Sequence, residues 1–273
     1  MPAAPKRALM SDGDYLLGTR DDEIARLGLQ HRVWRAQMLK GFRLARFAPG
    51  QTILDVGAGP GFATADLADT VGPDGKVIAF ERSPNFLAAL RSRALPNVEV
   101  RDADVAENDL GESFADGAWT RWLLAFLSDP ARTVGHIARA LKPGGVALFH
   151  EYIGYEAWRL VPPSAEQHRY RDLVVKSWRD SGGEPDAALE LPNHLAAAGL
   201  ELVAIRPMVE IITADDPWWQ WPASFIAINA HRLQELGYCT SGEAASFATM
   251  LDHAPPGTRM LTPVVAELIA IKR

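Results

Sequence analysis

The chain has 273 residues, 28 basic and 34 acidic side chains, a formal net charge of −6 and one cysteine, Cys239. That length suits one elaborated α/β domain with a sizeable core. The acidic balance argues against broad nucleic-acid binding, which needs clustered Lys and Arg, and a single thiol rules out an intramolecular disulfide or a cysteine-built metal site.

In chain order, residues 1–18 read as an arm. A helix is predicted from Asp21 to Phe47, because Ile24, Leu27, Val33, Trp34, Met38 and Phe42 recur at helical spacing. Its opening acids and its closing Lys40, Arg43 and Arg46 suit the helix dipole. Next, an apolar strand ends in Asp55, and the loop Gly57-Ala58-Gly59-Pro60-Gly61 opens a second helix. A dinucleotide fingerprint would need its third glycine at Phe62 or Thr64; here it comes one residue early. Residues 76–81 form a second predicted strand ending in Glu81, about 20 residues after the glycine loop, the offset at which an acid meets ribose hydroxyls. A carboxylate there can accept both hydrogen bonds of a vicinal diol.

Residues 97–105 read as a third strand and acidic turn, and residues 114–124 as a fourth strand with the segment after it. A Pro143-Gly144-Gly145 turn then leads to a fifth strand ending at His150-Glu151. Such alternation of strands and helices implies a mostly parallel sheet covered on both faces. A short helix over 192–198, stopped by Gly199, precedes predicted strands at 202–212 and 261–271. Two segments, 154–186 and 214–257, exceed what the sheet needs, and loops that long are usually lids or binding elements.

Taken together, the features over about residues 50–152 resemble the class I S-adenosylmethionine-dependent methyltransferases. The resemblance implies a Rossmann-like doubly wound seven-stranded α/β sheet of order 3-2-1-4-5-7-6, with strand 7 antiparallel. It also divides the chain into an arm and helical cap (1–49) and a methyltransferase domain (50–273) with lid insertions at about 154–186 and 214–257. The implied cofactor is S-adenosylmethionine, with S-adenosylhomocysteine as product. The resemblance assigns Asp55, Gly57, Ala58, Gly59 and Gly61 to the loop beneath the methionine end and Glu81 to the ribose, with Arg82 a further cofactor-binding candidate. Asp104 and the Val105 backbone go to the adenine, with Asp102 as the alternative, and Thr120 and Arg121 to the methionine part. Many relatives carry a histidine after the fourth strand, where this chain has Ala125-Phe126. In relatives, a helix like the one from Asp21 covers the site mouth; packing on the sheet edge is the equal alternative.

Methyl transfer from a sulfonium is an in-line displacement that depends on position and water exclusion. Candidate catalytic groups sit at the end of the fifth strand: His150, Glu151 and Tyr152. A hydrogen-bonded core histidine is the competing account of His150. His168 and His231 fall in the two insertions, where an exposed histidine is the simpler account. No pair of histidines has metal-ligand spacing, and His31 has no acid or histidine four residues on, so no metal is expected. Trp34, Trp122, Trp218 and Trp221 are candidates to line a substrate pocket, or to anchor the lid on the core. Tyr15 and Gln30 could reach the methionine end.

The expected activity is methyl transfer to a small apolar or aromatic metabolite, with O-methylation narrowly favoured. The alternative is an S-adenosylmethionine-binding protein with a regulatory or non-transfer role; a nicotinamide reductase is disfavoured by Phe62 and Thr64. No signal peptide or membrane span is evident, so a cytoplasmic monomer or homodimer with a small-molecule partner is expected, without nucleic acid or membrane.

Overall fold

The computed structural model describes residues 17–273; most of the arm, and Tyr15 with it, lies outside them. The chain opens with α1 (Asp21–Leu44) and then alternates β1 (Thr52–Val56), α2 (Phe62–Val71), β2 (Lys76–Glu81), α3 (Pro84–Ser92), β3 (Val98–Asp102), β4 (Ala115–Arg121), α4 (Pro130–Ala140) and β5 (Leu141–Gly154). Capping residues set the starts: the Ser83 hydroxyl accepts from the Phe86 N–H at α3, and Asp129 accepts from Arg132 N–H at α4, each with proline in the first turn. The second half contains β6 (Arg159–Val161), α5 (Ala165–Asp180), α6 (Leu191–Ala197), β7 (Leu200–Met208), β8 (Ile211–Thr213), α7 (Gln220–Glu235), α8 (Ser241–Thr249), β9 (Arg259–Leu261) and β10 (Val264–Lys272).

The main sheet runs β3-β2-β1-β4-β5-β10-β7. β10 is antiparallel to both β5 and β7, and the others pair in parallel. Counting only strands of this sheet in chain order gives 3-2-1-4-5-7-6, the expected topology. The ladder between β4 and β5 passes from Ala115↔Leu141 to Gly117↔Val146, so residues 142–145 bulge out at the Pro-Gly-Gly turn, where Gly144 has φ +80°.

Each of the two long strands expected near the end is split. Pro263 interrupts one, and the other breaks at Val209-Glu210, where the Glu210 carbonyl accepts from Thr262 N–H at 3.0 Å. The freed tips, β8 and β9, join β6 in a separate sheet of order β6-β9-β8. Alternating apolar residues could not reveal that break, because the pattern continues across it.

α1 lies across β4, β5 and β10, with Met38 and Phe42 packed on Trp119, Leu148 and Ile269. Gly41 makes this approach possible: a Cβ there would stand 2.5 Å from Glu267 Oε2. The helix ends at Leu44, three residues earlier than predicted, and Arg46 turns the chain with φ +59°. Around its middle it faces α7, where Trp34 and Trp221 meet edge to face at 4.9 Å. No helix of the described residues is long and apolar enough to cross a membrane.

Candidate functional site

The sheet order reverses between β1 and β4, and ligands of open α/β sheets bind at such a switch point beyond the strand C-termini. A cleft of about 1160 Å³, counting its mouth, opens there. Gly57, Gly59 and Gly61 all have positive φ (76°, 57° and 80°), which glycine adopts without steric cost. Their roles differ. Gly57 and Ala58 both donate N–H bonds to the Phe80 carbonyl, fixing the loop to β2. A Cβ on Gly59 would meet nothing within 4 Å, whereas one on Gly61 would strike Leu90 Cδ1 at 2.3 Å. Gly59 therefore borders ligand-sized space, and Gly61 permits close packing.

Glu81 accepts the Gly59 N–H at 2.8 Å through one oxygen and the Arg82 and Ser83 N–H groups through the other. Three of the roughly four acceptor positions of the carboxylate are filled, leaving one free on a residue that lines the cleft. Asp104 pairs with Arg82 at 2.7 Å and accepts from Ala106 N–H. Asp104, Val105 and Arg82 line the cleft; Asp102 is exposed and does not. Neither Thr120 nor Gly61 lines it, and the Thr120 side chain is buried in the strand.

The opposite end of the cleft carries Gln30, His31, Asp55 and Arg121. Burial pushes the Asp55 carboxyl up to about 7, against a hydrogen bond from Thr64 Oγ1 at 2.6 Å and the nearby Arg121 charge. Burial likewise lowers Arg121 to about 10, with Asp55 opposing. Arg121 lies 5.1 Å from the Trp122 ring centre, and its Nη1 is buried without a protein partner. His31 is 7% exposed, stacks on Phe62 at 5.8 Å and holds Asp66 through Nε2 at 2.9 Å. Arg35 donates to both Asp66 oxygens. Desolvation keeps the His31 pKa below its ordinary value, so the ring is neutral at pH 7. Nε2 then carries the proton toward Asp66, and the buried, unpartnered Nδ1 is a lone-pair acceptor. Sequence spacing missed this dyad because its acid stands on α2, not on the same helix.

Behind Trp122 lies a second, narrower pocket of about 430 Å³, counting the open space at its mouth, which shares Gln30, Trp122 and Phe126 with the cleft. Trp122 has φ +51°, an uncommon backbone state for a bulky residue and one that clusters at functional sites. Its ring is stacked between Tyr152 and Trp221, each 5.6 Å away. α1 contributes Arg26 and Gln30. Arg26 is held by two bonds to Glu23 (2.7 and 2.6 Å) and one to Gln30, whose Oε1 also accepts from Trp221 Nε1. α5 contributes Trp178 and α7 contributes Trp221 and Phe225. All four tryptophans named from the sequence converge, with Trp34 within 5.2 Å of the other three ring centres. Only Trp122 and Trp221 line a cavity; Trp34 and Trp218 buttress them from behind.

The three strand-end candidates separate. Tyr152 lines the second cavity, and burial pushes its phenol up, so it stays a neutral O–H donor. His150 is fully buried, bonded to Glu267 at 3.0 Å and set against Trp119; it lines neither cavity. Glu151, also fully buried, accepts from the Leu123 and Leu124 N–H groups and lines neither cavity; burial pushes it up to about 7. Direct contact of His150 or Glu151 with substrate, as expected from the sequence, does not fit these positions. Glu151 instead fixes the backbone that follows Trp122, and His150 joins a buried network with Glu267 and Arg206. His168 and His231 line neither cavity. Among the described residues, no group of three or more His, Cys, Asp and Glu could hold a metal ion.

A family model described as a methyltransferase domain matches residues 53–145. An uncharacterized 37.1 kDa protein in transposon Tn4556 of Streptomyces fradiae is 37% identical over 105 residues, 38% of this chain. That match spans 30% of the relative's own length. A demethylmenaquinone methyltransferase of Bacillus cereus is 25% identical over 193 residues, covering 65% of this chain and 80% of that enzyme. Among solved structures, geranyl diphosphate C-methyltransferase from Streptomyces coelicolor A3(2) is 15% identical and superimposes with a TM-score of 0.55, covering 89% of this chain and 77% of that one. This last likeness is one of fold. Over residues 53–145 the chain thus matches a methyltransferase domain, and the fold around that segment is one that solved methyltransferases share.

Proposed function

We propose that the protein transfers a methyl group from S-adenosylmethionine, bound in the glycine-loop cleft, to a small apolar or aromatic molecule held in the aromatic cavity. One observation carries this: the two cavities meet at Gln30, Trp122 and Phe126, so a donor in one faces an acceptor in the other. The residues present fit the cofactor. Gly59 offers backbone and open space in place of a side chain, and the buried Arg121 Nη1 and His31 Nδ1 lack protein partners.

In this assignment Glu81 accepts from one ribose hydroxyl through its remaining acceptor position, while Asp104 and the Val105 backbone meet the adenine. Arg121 pairs with the α-carboxylate, and Asp55 with His31 Nδ1 takes the α-ammonium. A zwitterion needs both signs in one place, and this end of the cleft supplies them. When bound, S-adenosylmethionine supplies an electrophilic methyl group on sulfur. Trp122 and Phe126 exclude water at the seam and orient the acceptor, so that position rather than covalent chemistry lowers the barrier. O-methylation is the favoured outcome. Residues 154–186 and 214–257 act as the lid and supply the cavity wall, and α1 closes the mouth.

Incubating the protein with S-adenosylmethionine and a panel of small aromatic hydroxy compounds, from simple phenols to acidic enols, tests this directly. Formation of S-adenosylhomocysteine together with an O-methylated product is expected. Tight cofactor binding without any methylated product across O-, N- and C-acceptors would instead leave the protein a binder of the nucleoside.

A further inference from the structure

The polar atoms of the aromatic cavity are unbalanced. Four indoles line it, and two of their N–H groups are satisfied by protein: Trp221 donates to Gln30, and Trp158 donates to Met260 Sδ at 3.2 Å. The other two, Trp122 Nε1 and Trp178 Nε1, are buried with no partner, on side chains 8% and 2% exposed. A buried donor left without an acceptor is costly, so a pair of them on residues lining one cavity marks places for ligand acceptors. Tyr152 and Tyr155 add two phenols kept neutral by burial.

Acceptors are scarce. No carboxylate and no imidazole lines the cavity, and Gln30 Oε1 already receives two bonds. Arg26 stands in the wall with its charge matched by Glu23 behind it, so the lining itself offers a cation no carboxylate. Nothing in the lining can take a proton from an ordinary phenol or alcohol.

We propose that the acceptor is a flat conjugated ring carrying an enolic hydroxyl in conjugation with a carbonyl, the hydroxyquinone class, bound as its delocalised anion. Such a hydroxyl is acidic enough to ionise in water, so the cavity needs no base. The anion spreads over two oxygens, which receive the Trp122 and Trp178 N–H groups, while its ring lies among the aromatic faces. In the transfer, the O–CH₃ bond forms as the methyl C–S bond breaks, and the bonding pair remains on sulfur. The negative oxygen and positive sulfur both become neutral, and no proton moves in that step. This rests on the methyl-transfer reading above and narrows its substrate.

Calorimetric titration of the wild-type protein at about pH 7.5, with and without S-adenosylhomocysteine, tests the class. The probes are 2-hydroxy-1,4-naphthoquinone, 2-naphthol and 1-naphthylmethylamine. The hydroxyquinone is expected to bind at least about tenfold tighter than 2-naphthol, and the ammonium not detectably. Trp178→Phe keeps an aromatic face and removes the N–H, and should weaken the hydroxyquinone about tenfold. Equal affinity for 2-naphthol, tightest binding of the ammonium, or no binding of the hydroxyquinone would each overturn the proposal. If S-adenosylhomocysteine itself fails to bind, the cofactor reading falls, while the probe series still decides the chemistry of the cavity.

Discussion

The two cavities are built in opposite ways. The glycine-loop cleft is made largely by main chain and by residues at consecutive strand ends, so β1, β2, β3 and β4 each deliver their part in chain order. The aromatic cavity is made by side chains from α1, the end of β4, β5, α5 and α7, segments far apart in sequence. A backbone cradle fixes one ligand tightly and tolerates little change. A wall of side chains can be altered residue by residue while the sheet beneath is kept, which is how one fold serves many chemistries.

Four experiments break or sharpen that contrast. The largest effect should come from His150→Gln, which disrupts the buried network with Glu267 and Arg206. A stability loss of about 3 kcal/mol is expected in denaturant unfolding, with S-adenosylhomocysteine affinity unchanged in the folded protein. A large affinity loss without destabilisation would return His150 to the binding site. Gly59→Val fills the space beside the loop and places a β-branched residue at φ +57°. Calorimetry should show roughly a hundredfold weaker S-adenosylhomocysteine binding, about 2.7 kcal/mol. Hydroxyquinone binding in the second cavity should persist, and a parallel loss there would mean that the two cavities are not separable.

His31→Ala and Asp66→Asn probe the dyad at the seam end. Each should weaken S-adenosylhomocysteine about tenfold and leave 5′-methylthioadenosine, which lacks the amino-acid group, unaffected. Equal losses for both ligands would make the dyad structural. Because the His31 pKa is lowered, its neutral form prevails at pH 7 and affinity should fall as the ring protonates in more acid buffer. Asp66, Arg35 and Arg121 are the charged groups that surround it.

The smallest effect is expected from Asp55→Asn. Burial pushes the folded carboxyl up to about 7, from an ordinary value of 3.8. Between those values the folded state binds more protons than the unfolded, so this group's contribution to stability falls as pH rises through that window. Removing the charge should stabilise the unliganded protein by about 1 kcal/mol near pH 8 and by little near pH 5, while S-adenosylhomocysteine binds less well. Thermal melts at the two pH values give the comparison, and destabilisation near pH 8 would mean that the carboxylate is compensated in a way the fold does not reveal.

How legible these regions were in the sequence follows from their construction. Asp55, the glycines, Glu81, Asp104, Val105 and Arg121 could be named because a strand end followed by a turn is a local event, and each stands at the cleft or against its loop. The seven-strand order came with the resemblance. The split of 202–212 and 261–271 into pieces of two sheets did not, since apolar alternation says nothing of which partner a strand tip chooses. Among the tryptophans, residue type pointed to a shared aromatic site, but could not tell Trp122 and Trp221 in the wall from Trp34 and Trp218 behind it. Arg26, Trp178 and His31 were passed over because each gains its meaning from a distant neighbour.

By itself, then, the sequence determined the strand–loop–helix units and the acids that close them, because backbone geometry and short spacing are written locally. Only the tertiary structure decided which side chains face an open cavity, which are locked in the core, and which buried N–H groups stay unpaired. Those outcomes depend on long-range packing, where burial and partnership are properties of the assembled fold and not of any segment.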